Sequence, residues 1–233
     1  MTSRCEPGAR SVLEIRRLGR LSYDAGVALQ NDLVARRKED AIPDQLLLLE
    51  HEPTITLGRN ARPQNILFSE AALAARGVTL RESGRGGDVT YHGPGQLVAY
   101  PILNLAPDRC DVHRYVRDLE EAIIGTCADL GIAGERVTGR TGVWVGDAKV
   151  AAIGVRISRW VTSHGLALNV TTDLDAFSLI VPCGISDRPV TSLARLLPAP
   201  PTLDAVADLL AQHLAAVFER TPHERAMTAE EAC

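Results

Sequence analysis

The chain has 233 residues, 45% of them apolar and 23% charged, a composition suited to one α/β domain with an ordinary core and unlike that of disordered or membrane proteins. Lysine plus arginine number 25 against 29 acidic residues, for a net charge of −4, and aromatics make up only 4%; nucleic acid is therefore not an expected partner. No run reaches the roughly 18 apolar residues of a bilayer span and the first twenty residues lack a signal-like apolar core, which predicts a cytoplasmic protein with no membrane association.

Residues 1–233 are expected to form a single domain with loose tails at about 1–10 and 219–233. A helix is predicted from about Ser22 to Arg37, with Leu29 and Leu33 four apart and a charged end that Pro43 closes. Gln45–His51 and Thr54–Leu57 then read as two strands separated by Pro53, at least one of them buried, and an antiparallel pairing of the two is plausible. Gln96–Leu103 reads as a buried strand. Asp111 opens a helix whose Tyr115, Leu119, Ile123, Cys127 and Leu130 recur about once per turn as far as Gly131. Val143–Val145 and Lys149–Ile157 form a predicted hairpin about Gly146 and Asp147, and residues 164–170 offer another strand. Thr202 caps a last helix with Leu203, Val206, Leu210, Leu214 and Val217 along one face. Strands in the middle and helices at separate places favour a mixed, largely antiparallel sheet flanked by helices over a regular βαβ repeat.

Five glycines fall in the thirteen residues from Gly84 to Gln96, which points to a backbone that something must approach closely. An extended acyl chain or a carrier's arm could lie there, with Arg85 and backbone amides available to polar groups; tight turns between strands would leave the same signature. The segment matches neither common phosphate-binding loop. His92 stands within it, four residues before Gln96.

The five cysteines, Cys5, Cys110, Cys127, Cys183 and Cys233, are too widely spaced for a disulfide framework or a metal site, and no metal or cofactor is expected. Cys183 lies between Pro182 and Gly184, a setting that could turn a thiol toward a cleft. A thiolate exchanges with a thioester at little thermodynamic loss and leaves a second thioester still reactive toward an amine. A nearby ammonium is one established way to lower a thiol pKa. Lys149 is one of only two lysines, the other being Lys38, and a lysine among arginines hints at a removable proton; a solvated lysine at a strand end is the ordinary alternative.

Taken together, residues 50–59, 85–102, 139–170 and 180–186 resemble the motifs of lipoyl(octanoyl) transferases, with the likeness running from about Leu46 to Leu193. The resemblance implies a fold like that of biotin and lipoate protein ligases. It implies transfer of octanoyl from octanoyl acyl carrier protein to the lysine amine of lipoyl domains in 2-oxoacid dehydrogenase complexes and the glycine cleavage H protein, as the first step of protein lipoylation. It assigns the nucleophile to Cys183 and the group that lowers its pKa to Lys149. It places substrate contacts at Arg85, Gly86, Gly87, Asp88, Val89, Thr90, Tyr91 and His92, at Ala152, Ile153 and Gly154, and at Gly165, Leu166 and Ala167. A monomer is expected. The rivals are an ATP-dependent lipoate or biotin ligase and a non-catalytic acyl-binding module.

Overall fold

The computed structural model describes residues 11–182 and 188–225. In chain order these form β1 (Val12–Leu21), α1 (Tyr23–Lys38), β2 (Asp44–His51), β3 (Thr54–Leu57), α2 (Glu70–Ala74), β4 (Thr79–Glu82), β5 (Val89–His92) and β6 (Gln96–Ile102). There follow α3 (Val112–Asp129), β7 (Glu135–Val137), β8 (Arg140–Val145), β9 (Ala148–Ser158), β10 (Val161–Asn169), a 3-10 turn (Leu174–Leu179), α4 (Leu193–Leu196), α5 (Leu203–Val217) and β11 (Thr221–Glu224). The helices start where capping chemistry places them: the Ser22, Asp111 and Thr202 side chains accept backbone N–H groups of the first turns of α1, α3 and α5.

Eight strands make one sheet in the order β11-β1-β2-β6-β10-β9-β8-β7, parallel at β11-β1-β2 and antiparallel elsewhere. The apolar run of β2 is buried on both faces, which explains its lack of alternation. Leu46 and Leu48 join the core beneath α3 and α5, while Leu47 and Leu49 join the core beneath α1. β6 divides in the same way, with Leu97 and Ala99 on one side and Val98, Tyr100 and Ile102 on the other.

A second sheet, ordered β4-β3-β5, packs Ile55, Val89 and Tyr91 against Phe177 and Leu179 of the 3-10 turn in a third core. The expected pairing of β2 with β3 is therefore corrected: the chain turns at Glu52 and Pro53 and leaves one sheet for the other. β1 is an addition to the predicted elements. Thr221–Glu224, expected within a loose tail, instead forms an exposed edge strand, with Thr221 N–H donating to Ser11 O at 3.0 Å and Arg17 paired to Glu224 at 2.9 Å. No helix among the described residues is long and apolar enough to cross a membrane.

Candidate active site

A cavity of about 310 Å³ lies between the small sheet and strands β9 and β10 of the large one. The glycine-rich loop between β4 and β5 reaches β9 directly, with Gly86 N–H donating to Val155 O at 2.9 Å. A Cβ on Gly154 would come within 3.0 Å of Gly86 O and the Arg85 side chain, so glycine is what lets the loop lie on the strand. The cavity floor is then small and apolar: Ala152, Ile153 and Gly154 of β9 beside Gly165, Leu166 and Ala167 of β10, registered as Ala152↔Ala167 and Gly154↔Gly165.

From the loop and β5 come Arg85, Gly87, Asp88, Thr90 and His92. The run from Arg85 to His92 divides about the cavity, because side chains on a strand alternate. Thr90 and His92 face the cavity; Val89 and Tyr91 face the third core, where Tyr91 meets Phe177 edge-on at 5.6 Å. Gly86 contributes its backbone contact to β9 rather than a wall. Arg85 lines the cavity but its guanidinium donates to Thr56 O at 2.8 Å and Gly86 O at 3.0 Å, so it braces the loop. Asp88 does similar work, accepting from Asn65 Nδ2 at 2.6 Å and from the backbone N–H groups of Arg62 and Val89.

Lys149, only 7% exposed, stands at one end of the cavity. Its ammonium donates to Thr141 O at 3.1 Å and sits 4.9 Å from the ring centroid of the fully buried Trp144. The guanidinium groups of Arg188 and Arg140 lie over the same indole at 5.5 and 6.0 Å. Gly142 makes this fit possible: at φ +120°, a Cβ there would meet Ala151 O at 2.6 Å and the Lys149 side chain at 3.3 Å. The Gly142 N–H is held by Glu120 Oε1 at 3.1 Å, and that buried carboxylate is balanced by Arg117 and Arg136. A carbonyl and an aromatic face thus hold the cation beside two guanidinium groups.

Cys183 lies outside the described residues, as do Cys5, Cys233 and the whole of 183–187. The chain that follows that segment is hydrogen-bonded to Lys149, and the chain that precedes it lines a small cavity with the same residue. Pro182 and Val190 share a small cavity with it, Lys149 N–H donates to Pro189 O at 2.9 Å, and Thr191 N–H donates to Lys149 O at 2.8 Å. Of the other cysteines, Cys127 is buried in the main core, where desolvation pushes its thiol up to about 11, and it has no part in the cavity.

At the opposite end five rings close together: Tyr23, His51, His92, Tyr100 and His164, with neighbouring centroids 5.3 to 6.3 Å apart. The hydrogen bonds fix the tautomers. His51 Nδ1–H donates to Leu21 O at 3.1 Å, leaving Nε2 to accept the Tyr100 hydroxyl at 2.7 Å. Gln96 spends its amide N–H groups on Tyr91 O and Asn169 Oδ1, so its oxygen faces His92 and accepts from Nδ1–H at 2.7 Å. Burial, reinforced by neighbouring His51 and Arg85, lowers His92 to about 3; burial and the field of Arg85 lower His164 to about 4. Sequence reasoning missed Tyr23, Tyr100 and Trp144 altogether. Tyr23 opens a helix more than a hundred residues from β9 and β10, and nothing in its local pattern separates it from a core aromatic.

Among the described residues no group of His, Cys, Asp and Glu side chains could hold a metal ion. Residues 22–215 match the model of the lipoyl protein ligase A/B catalytic domain. An octanoyltransferase of Chloroflexus aggregans is 56% identical over 213 residues, covering 90% of this chain and 96% of the relative. A lipoate protein ligase of Thermoplasma acidophilum, solved in a study that included its E2 lipoyl domain, superposes with a TM-score of 0.75 at 18% identity, covering 96% of this chain and 89% of that one. A biotin protein ligase of Aquifex aeolicus gives a TM-score of 0.51 at 13% identity, covering 88% and 69%. Those two likenesses concern the fold, and they agree with the mixed sheet flanked by helices that the sequence predicts.

Proposed function

The chain belongs to the lipoyl protein ligase A/B catalytic domain family, with octanoyltransferases as its similar relatives, and on that premise we propose that it moves octanoyl from octanoyl acyl carrier protein to the lysine amine of a lipoyl domain through a thioester on Cys183. One observation carries the reading: an apolar cavity leads away from Lys149, the flank that follows the segment containing Cys183 is hydrogen-bonded to that lysine, and Pro182 of the preceding flank lines a small cavity with it.

The steps follow from the groups present. Lys149 takes the Cys183 proton, and the thiolate attacks the thioester carbonyl of the carrier. The carbon–sulfur bond to the carrier breaks, Lys149 returns the proton to the departing thiol, and octanoyl remains on Cys183 with its chain along Ala152, Gly154, Gly165 and Ala167. In the second half the acceptor lysine, deprotonated by Lys149, attacks this thioester. An amide forms and the Cys183 thiolate leaves, a downhill exchange. No nucleotide enters, which separates this route from the adenylate chemistry of a ligase. The soluble compartment expected from the sequence suits both protein partners.

Incubation with octanoyl carrier followed by intact-mass measurement is expected to show one octanoyl group on the wild-type chain and none on Cys183→Ala. An octanoyl adduct that persists on the alanine variant removes Cys183 from the nucleophile's place, and turnover of free octanoate that requires ATP selects the ligase reading instead.

A further inference from the structure

Glu120 is a fully buried carboxylate on α3, beside Leu119 and Ile123, and the acyl-transfer steps assign it nothing. Burying a carboxylate is costly unless its oxygens are well used, and here they are divided. Oε2 accepts from Arg117 Nη1 at 2.6 Å and from Arg136 Nε at 3.2 Å, whereas Oε1 accepts the Gly142 N–H at 3.1 Å. The carbonyl of that same peptide unit is Thr141 O, which accepts from Lys149 Nζ at 3.1 Å. One planar amide therefore stands between a carboxylate and an ammonium, its N–H toward the first and its oxygen toward the second.

Nothing in Gly142 itself selects this orientation. Turning the peptide over would carry Gly142 from φ +120° to about −60°, which glycine adopts as readily, and would point an N–H at the ammonium in place of an oxygen. The neighbouring ladders are irregular at this stretch: the β7–β8 register shifts between Glu135 and Val137, and the β8–β9 register between Val143 and Trp144. Resting on the assignment of proton transfer to Lys149, we propose that Glu120 is a positioning residue for acyl transfer. It locks the Thr141–Gly142 peptide with its oxygen toward Lys149, and by polarising the amide it makes that oxygen a stronger acceptor for the ammonium. Arg117 and Arg136 hold the carboxylate by its other oxygen, which keeps Oε1 for Gly142.

Glu120→Gln is the sharpest variant. The two guanidinium groups claim its single oxygen, which turns the amide NH2 against the Gly142 N–H, donor against donor. With octanoyl acyl carrier protein, kcat for thioester formation is expected to fall by about tenfold or more while KM stays within about twofold of wild type. Alkylation of Cys183 should move to higher pH by about half a unit or more. Glu121→Gln, which loosens only the exposed pair with Arg136, should change neither. If Glu120→Gln fails to fold, the combination Arg117→Met, Glu120→Leu and Arg136→Met replaces the buried charges with apolar volume, and the same loss of rate is expected in a chain that melts cooperatively.

Coupling separates positioning from packing. On a Lys149→Ala background, Glu120→Gln should lower the residual rate by less than about twofold, because the group it serves is gone. A further fall as large as on the wild-type background overturns the proposal, as does an unmoved rate and alkylation profile in a folded Glu120 variant. If Lys149→Ala loses the thioester while Glu120→Gln keeps it, only the role of Glu120 falls. If Lys149→Ala forms the thioester at the wild-type rate, the reading of Lys149 on which the proposal rests falls with it.

Discussion

At the Lys149 end of the cavity three cations gather round one indole, whereas at the far end three imidazoles and two phenols pack together and the imidazoles are held neutral. Both ends are buried, and the contrast lies in what the backbone offers. At Lys149 a carbonyl oxygen and a π face stand in for water around the ammonium. At His92 and His164 no carboxylate is among the charges that act on either ring from the described residues, and burial lowers both. One end gathers positive charge and the other disfavours it.

The largest way to break this contrast is to remove the ammonium. Lys149→Ala should lower the rate of thioester formation by about 10² to 10⁴, the usual worth of a positioned general acid–base. Lys149→Arg should not restore it, because a guanidinium cannot give up its proton. Rapid-quench measurement of the acyl adduct checks both, and an active arginine variant would mean that charge alone suffices.

The next effect tests neutrality at the other end. Burial lowers His92 from its ordinary value of 6.5 to about 3 in the folded chain, so between those values the unfolded chain binds a proton that the folded chain refuses. Stability is therefore untouched above about pH 7 and falls as pH drops through that window, by at most about 1.4 kcal/mol per unit for this group. His92→Gln keeps a donor for Gln96 and cannot titrate. Urea unfolding between about pH 4 and 6 should show a shallower acid slope in the variant, and identical slopes would refute a neutral buried His92.

The smallest effect sharpens the Lys149 end. Trp144→Phe keeps an aromatic face but weakens the attraction for the ammonium, at a cost of about 0.5–2 kcal/mol. Thiol alkylation of Cys183 should shift toward higher pH and kcat should fall severalfold with little change in KM. A fall in Tm with an unmoved alkylation profile would leave Trp144 a packing role only.

Much of the fold could be read from local pattern. The caps at Ser22, Asp111 and Thr202, the heptad-like spacing from Tyr115 to Leu130 and the turn at Gly146 all act within a few residues, where backbone hydrogen bonding and side-chain periodicity are decided. The sheet exchange after β2 was not legible, because two apolar strands around a proline carry no record of which partner each will find. The site divided along the same line. Lys149 and the floor residues Ala152 to Gly154 and Gly165 to Ala167 were singled out by the family resemblance, and the structure brings them to one cavity; Cys183 lies outside the described residues. Val89 and Tyr91 entered the expected contacts through the family resemblance, and the alternation of their strand turns both side chains toward the third core.

The amino-acid sequence alone determined the three long helices, the central strands and the glycine-rich approach, since each depends on neighbours in the chain. Tertiary structure alone decided which rings meet at the blind end of the cavity. Tyr23, His51, His92, Tyr100 and His164 come from α1, β2, β5, β6 and β10, and their contact and neutrality arise only when those elements exclude water around them.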